Sequence, residues 1–264
     1  MKNHHFINLI LILSILFSCS KENEDKTVIP ESILLKNIIV NSATNTFYYN
    51  NENVLFKKNH NNSSNRITTE LEFKNNIITG LKIFSEFGSN PTQTNEERYE
   101  IIHLSNTVEL NSLDSNYNIM INISNGYVDS CIHNYGPNFE FIHEQIFTRN
   151  NSNNLESIIK TNSMINEPNS DSFFKYIYSN FKSNSSFNAT FSPIMDYNQF
   201  DFFEILNLKI SKDIPTKSSI ETENMFLENY KNMEIIYDQN DLIIKKIISG
   251  EYGGITEYKF EYYE

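Results

Sequence analysis

Met233-Glu234-Ile235-Ile236-Tyr237-Asp238-Gln239-Asn240-Asp241-Leu242-Ile243-Ile244-Lys245-Lys246-Ile247-Ile248-Ser249, followed after a glycine-bearing turn by Ile255-Thr256-Glu257-Tyr258-Lys259-Phe260-Glu261-Tyr262-Tyr263, is the stretch that decides the fold. It reads as strand, turn, strand, turn, strand. In the last segment Tyr258, Phe260 and Tyr262 alternate with Glu257, Lys259 and Glu261. An alternation of period two places one set of side chains in a core and the other in water.

The same theme runs upstream. Ile33 to Val40, Thr46 to Tyr49, Val54 to Lys58, Ile67 to Lys74 and Ile77 to Phe87 read as strands, then Arg98 to Leu104, Thr107 to Leu113, Tyr117 to Ser124 and Tyr127 to Tyr135. Phe139 to Thr148 with Leu155 to Thr161 reads as a hairpin, and Ser172 to Phe181 with Phe187 to Phe191 as another. Only 7 glycines and 6 prolines are present, so asparagine must make the turns. Its side chain hydrogen-bonds the local backbone, and it tolerates the left-handed conformation. Asn75-Asn76 and Asn125-Gly126 are the clearest two-residue hairpin turns. Gln199 to Ile210 departs from alternation and predicts at most one short helix, stopped by Ser211 to Pro215; Ser218 to Glu223 reads as loop. The expected class is all-β: a large antiparallel meander forming a strongly curved sheet or a partly closed barrel, because so many strands protect their edges by curling.

The N-terminus carries a different message. Lys2 precedes an apolar run from Phe6 to Phe17, shorter than the roughly 20 residues of a membrane-spanning helix. Leu16-Phe17-Ser18-Cys19 resembles the bacterial lipobox, with leucine at −3, a small residue at −1 and cysteine at +1. That resemblance implies a signal peptide at 1–18 and acylation of Cys19. Several acyl chains anchor firmly, since each buried methylene is worth about 0.8 kcal/mol. Residues 19–32 read as an acidic, disordered tether, and 33–264 as one β-rich domain. Ser20-Lys21-Glu22-Asn23-Glu24-Asp25-Lys26 is similar to the export signal of surface-exposed lipoproteins of Bacteroidota, which implies display at the cell surface; the periplasmic side is the other outcome.

The formal net charge is −12, and removing the leader with its one lysine leaves 20 − 33 = −13. Such a body selects against nucleic acid and against lying on an anionic membrane surface. With one of the two cysteines at the leader junction, no disulfide framework is expected.

Tyr237 to Ile247 resembles the hairpin of YD-type repeats, in which a tyrosine-aspartate pair enters the turn and a branched residue with lysine leaves it. Leu208-Lys209-Ile210-Ser211-Lys212-Asp213-Ile214-Pro215 is similar to a stretch preceding the last hairpin in a set of Bacteroidota lipoproteins of unknown function. That resemblance implies a porin-like antiparallel β fold. A membrane pore does not follow, because these strands place Glu, Lys and Asn on their wet face.

Asp129, Cys131 and His133 alternate and are the only constellation with metal or nucleophile chemistry in prospect. No further ligand at metal-binding spacing accompanies them, so neither catalytic nor metal residues are assigned and no cofactor is expected. Asp238, Asn240 and Asp241 belong to a turn rather than to a calcium loop. The expected role is a non-enzymatic binding or scaffold module for a glycan, a peptide or a protein, joined to the membrane by its lipid. A hydrolase or hydrolase accessory, and a structural envelope component, are the alternatives.

Overall fold

The computed structural model describes residues 34–88, 93–136, 140–164, 172–182, 203, 206, 208–222, 231–240, 242–250 and 254–263. The strands in chain order are β1 Leu35–Val40, β2 Ala43–Tyr49, β3 Leu55–Asn61, β4 Asn65–Lys74, β5 Ile77–Phe87, β6 Gln93–His103, β7 Thr107–Ser112 and β8 Tyr117–Ser124. They continue as β9 Tyr127–Tyr135, β10 Phe141–Arg149, β11 Leu155–Met164, β12 Ser172–Lys182, β13 Ile214–Thr222, β14 Lys231–Tyr237, β15 Ile243–Gly250 and β16 Ile255–Tyr262. Each pairs antiparallel with its chain neighbours, and β1 pairs with β16, so the sheet closes into a barrel. Closure removes both free edges, the one arrangement that leaves no unpaired strand to aggregate.

Register and burial together define the two faces. Ile38 faces Phe260 and Val40 faces Tyr258 across the closing pair. Tyr258 and Phe260 are buried, Tyr262 packs beside them, and all three belong to one apolar cluster with Ile38, Phe47, Met233 and Ile248. A second cluster joins Leu81, Tyr99, Leu110, Ile119, Ile121, Phe147 and Ile158 with Phe203, Leu206 and Ile210. Both are lumen faces; each fully buried aliphatic side chain contributes roughly 1.5–3 kcal/mol. Three lysines also stand in this lumen, each over an aromatic ring: Lys58 over Phe47, Lys160 over Tyr176 and Lys246 over Tyr258.

The outer wall is the reverse. Lys57 pairs with Glu70, Lys82 with Glu96, Lys175 with Glu221, and Lys245 and Lys259 with Glu257. All these side chains are well exposed, so each pair contributes at most about 1 kcal/mol. The outer band of a lipid-facing barrel wall is apolar, and these charged pairs depart from that pattern.

Asparagine makes the turns, as the composition requires. Every non-glycine residue described with positive φ is an asparagine: 41, 53, 75, 76, 125, 153 and 180. Three hairpin tips repeat one device. The Oδ1 atoms of Asn50, Asn150 and Asp238 each accept two backbone N–H groups, from Glu52 and Val54, from Ser152 and Asn154, and from Asn240 and Leu242. Each tip is followed by a register shift. The tyrosine-aspartate turn is thus one case of a local rule in which a short side chain substitutes for backbone hydrogen bonding.

Two sequence expectations are corrected. Ser218 to Glu223, expected as loop, is strand from Ser218 to Thr222, because β13 covers Ile214–Thr222 and pairs along its length with β12; Glu223 lies outside the described residues. Its serines, threonines and lysine hide the alternation, and Pro215 lies outside the short stretch, Lys217 and Ser218, that pairs with β14. β12 therefore takes β13 as its neighbour, and Phe187 to Phe191, expected to fill that place, lies outside the described residues. The helix expected near 199–210 also lies largely outside them; Phe203 alone is described in helical conformation.

Replacing Asn50 with alanine removes the acceptor of two N–H groups at 2.9 Å. Urea unfolding of Asn50→Ala should show a loss of about 1–2 kcal/mol, with Asn50→Asp close to the parent. Equal losses in the two variants would contradict the acceptor role.

Candidate functional site

Antiparallel neighbours reverse the chain, so alternate connections lie at the same end of the barrel. The near end holds the start of β1, the end of β16 and the asparagine tips at 50–54, 75–76, 125–126, 150–154 and 238–242. The far end holds the starts of β8, β10 and β12 and the ends of β9 and β11.

The near end is capped. Phe203, Leu206 and Ile210 pack into the lumen cluster, with Phe203 edge-on to Phe147 at 5.6 Å. From there Leu208 to Asp213 is held across the tips of β9, β10 and β11. The Val128 N–H donates to the Lys209 carbonyl, and the Leu155 N–H donates to Ser211 Oγ. Asn154 and Asp213 exchange two hydrogen bonds. Arg149 donates to the Ile210 and Val128 carbonyls, meets Asp129 at 2.9 Å and lies over the Tyr127 ring. The Leu208–Pro215 motif is therefore a latch, and its serine and aspartate are structural.

Asp129 belongs to this latch, which corrects the expectation that it shares a face with Cys131 and His133. Asn122 faces Ser130 and Ile123 faces Val128, so Asp129 is the extra residue of a bulge. Alternation breaks at that residue, and its carboxylate reaches Arg149 instead. Cys131 and His133 do share the lumen face and touch, with Sγ 3.3 Å from Nε2. Burial pushes the Cys131 thiol well up, and holds the His133 imidazole neutral with a pKa lowered to about 3, assisted by His143 and Lys160. A nucleophilic pair needs a thiolate beside an imidazolium, and this environment favours neither. Among the described residues no group of three metal-ligating side chains forms. Cys131 is a free, buried thiol, and Cys19 lies outside the described residues.

Around His133 the lumen face of β8 to β12 assembles what the sequence did not reveal. The Tyr117 hydroxyl and the other imidazole nitrogen of His133 are hydrogen-bonded. His143 stands edge-on to His133 at 5.6 Å and bonds Gln145 and Asn162, and Asn162 donates to Ser172. Burial lowers the His143 pKa, and lowers that of Lys160 to about 8. It raises the Tyr117 phenol, with Tyr135 adding to the effect.

Toward the far end this polar floor gives way to aromatic rings. Tyr117 stacks on Tyr135 with centroids 4.5 Å apart and planes 20° apart, and Phe141 lies 5.5 Å from Tyr135. Phe141 faces both Tyr135 and Met164 across the ladder. Phe87, Tyr135, Met164 and Phe174 occupy lumen-facing register positions, yet each is 37–42% exposed. Tyr135, Met164 and Phe174 stand on β9, β11 and β12, beside Phe141 on β10. The far end thus carries a partly exposed apolar rim, mostly aromatic, above a buried polar floor that also holds Lys160. The floor was missed because its members sit on strands joined only by long-range register; the signal available was the in-phase placement of His133, His143 and Asn162.

Between pH 6.5 and 5 the unfolded chain protonates histidines that the folded chain keeps neutral, so stability rises with pH there and is lost on acidification. The unfolding free energy from urea titration should fall by on the order of 1 kcal/mol per pH unit on acidification in this window, and His133→Gln should flatten the profile. An unchanged profile in that variant would refute a buried neutral imidazole.

No family model matches the sequence, and no curated protein matches it. Two crystal structures follow a related course. A porin-like protein from Bacteroides vulgatus matches with a TM-score of 0.49 and 8% identity, over 87% of this chain and 99% of that one. A porin-like protein from Bacteroides uniformis matches with a TM-score of 0.43 and 9% identity, over 88% and 96%. The barrel assignment rests on this chain's own strand pairing.

Proposed function

We propose that this chain is an outer-membrane lipoprotein, anchored through Cys19 and displayed at the cell surface, whose barrel is a non-enzymatic binding module working at its far mouth. The observation that carries the reading is the rim: lumen-register aromatics that a self-sufficient core would bury are left half-exposed at one end. The ion-paired outer wall supports a barrel standing in water, with the membrane reached by the N-terminal lipid rather than by the strands. β1 begins at the near end, and the rim lies at the opposite end of the barrel.

A hydrolase reading has less support, because the Cys131–His133 pair is held in the wrong protonation states for a nucleophile. A purely structural envelope role gives no reason for an exposed rim.

Cys19→Ser should shift the protein from the membrane fraction to the soluble fraction. Protease added to intact cells should remove the barrel epitope of the parent. Membrane retention of the variant would overturn the anchor, and protection on intact cells would overturn surface display.

A further inference from the structure

We infer that one side of the near end rests on a lipid surface, with the tips of the β2–β3, β4–β5 and β6–β7 connections dipped into its headgroup layer; this rests on the lipid-anchor reading above and adds a second contact with the same membrane. Three observations point to it.

The first is where exposed apolar side chains gather. Val54, Phe56, Ile77, Ile102 and Leu104 are each more than a third exposed, Ile77 and Leu104 more than half. All five stand on adjoining tips at one end of the barrel. Lys74 faces Ile77 across the β4–β5 hairpin, and His103 Nε2 lies 2.8 Å from the Ile78 carbonyl oxygen, which sets the Leu104 tip beside Ile77. Phe56 is the extra residue of the bulge between the pairs Tyr48–Lys57 and Tyr49–Leu55. Tyr263 continues the arc across β1: its hydroxyl donates to the Phe47 carbonyl, and its ring meets Tyr49 edge-on at 6.1 Å. Other tips of the same end differ, since those at 125–126 and 151–153 expose only asparagine, glycine and serine. Apolar side chains gathered on one arc and rimmed by polar turns mark a contact surface.

The second is charge. Asn50 to Val54, Lys74 to Ile77 and His103 to Thr107 carry one carboxylate, Glu52, and one amine, Lys74, both exposed. The whole chain has 33 acidic residues against 21 basic. Tips that are balanced on so acidic a body suit a zwitterionic headgroup layer, whereas an anionic layer would repel the body. Charge returns just behind the tips, where Lys57 pairs with Glu70 beside Phe56 and Glu109 faces Ile102. The contact is therefore shallow, on the order of 5–10 Å deep.

The third is the chain itself. β1 opens at this end with Leu35, and Cys19 stands 35 − 19 = 16 positions earlier. A chain of that length reaches at most about 55 Å. An acylated Cys19 thus keeps a bilayer at high effective concentration near these tips, an advantage that a second copy or a protein partner lacks.

The test uses the intact lipidated protein in phosphatidylcholine vesicles, with and without bromine on the acyl chains. The chain has no tryptophan, so one introduced indole reports one place. Ile77→Trp and Leu104→Trp probe the arc. Ser152→Trp, on another tip of the same end, and Leu113→Trp, at the far end and 61% exposed, are the controls. Emission from Ile77→Trp and Leu104→Trp should shift to the blue and fall about twofold in brominated vesicles, while the controls stay unchanged. Matching urea midpoints guard against misfolding. Flotation with the vesicles but no quenching at 77 and 104 would overturn the contact and leave the anchor standing. Failure to float would overturn the anchor and the contact with it. A blue shift without bromine quenching would mean that a second copy or a partner protein covers the arc, and would overturn lipid as the occupant. Equal quenching at all four positions would overturn the arc as the site.

Discussion

The pairing of Leu35–Val40 with Ile255–Tyr262 is the contact on which the molecule depends. Every other ladder joins strands that are neighbours in the chain, so local hairpins alone could form a curved sheet with two open edges. The closing ladder joins residues more than two hundred positions apart, and it brings Ile38 and Val40 against Phe260 and Tyr258. Hydrogen bonds satisfy the edges, while apolar pairs on the inner side make closure favourable. The entropy of bringing such distant segments together grows only slowly with separation, so a modest number of buried side chains offsets it.

Closure also fixes which side of the sheet is wet. Once β16 is seated with its aromatics inward, Glu257, Lys259 and Glu261 must face out. Register carries the same choice around the barrel to Glu70, Lys82 and Lys175. The result is a barrel with a mainly apolar inner face that also buries Lys58, Lys160 and Lys246, and an outer face on which ion pairs stand beside exposed Ile102 and Ile146. At the near end the lumen is filled by Phe203, Leu206 and Ile210 and tied by Arg149, Asn154 and Ser211. Rigidity at that end leaves the far end as the place where lumen side chains meet water.

Much of the architecture could be read in the chain because it is encoded locally. Tyr258-x-Phe260-x-Tyr262 declares its face by alternation alone. Asn75-Asn76 and Asn125-Gly126 mark their turns because the left-handed conformation is available to few residue types. β13 escaped because Thr216, Ser218 and Ser219 carry no apolar rhythm; it is a strand by virtue of its neighbour β12. Asp129 was misplaced because a bulge shifts alternation by one residue and leaves no mark in composition. The floor of the mouth could not be assembled from sequence, since His133, His143 and Asn162 meet only through the register of three strands. The latch was visible as a motif in Leu208 to Pro215, but its role required seeing what its serine and aspartate touch.

The account stands on the direction of the wall. Single spin labels at the outward positions Met120, Ile159 and Glu257, and at the inward position Ile121, can be compared in native membranes by power saturation. Outward labels should collide with a water-soluble nickel chelate, and the inward label should be shielded from it. Outward labels that are instead protected from the chelate and relaxed by oxygen would place the strands in lipid and contradict the account.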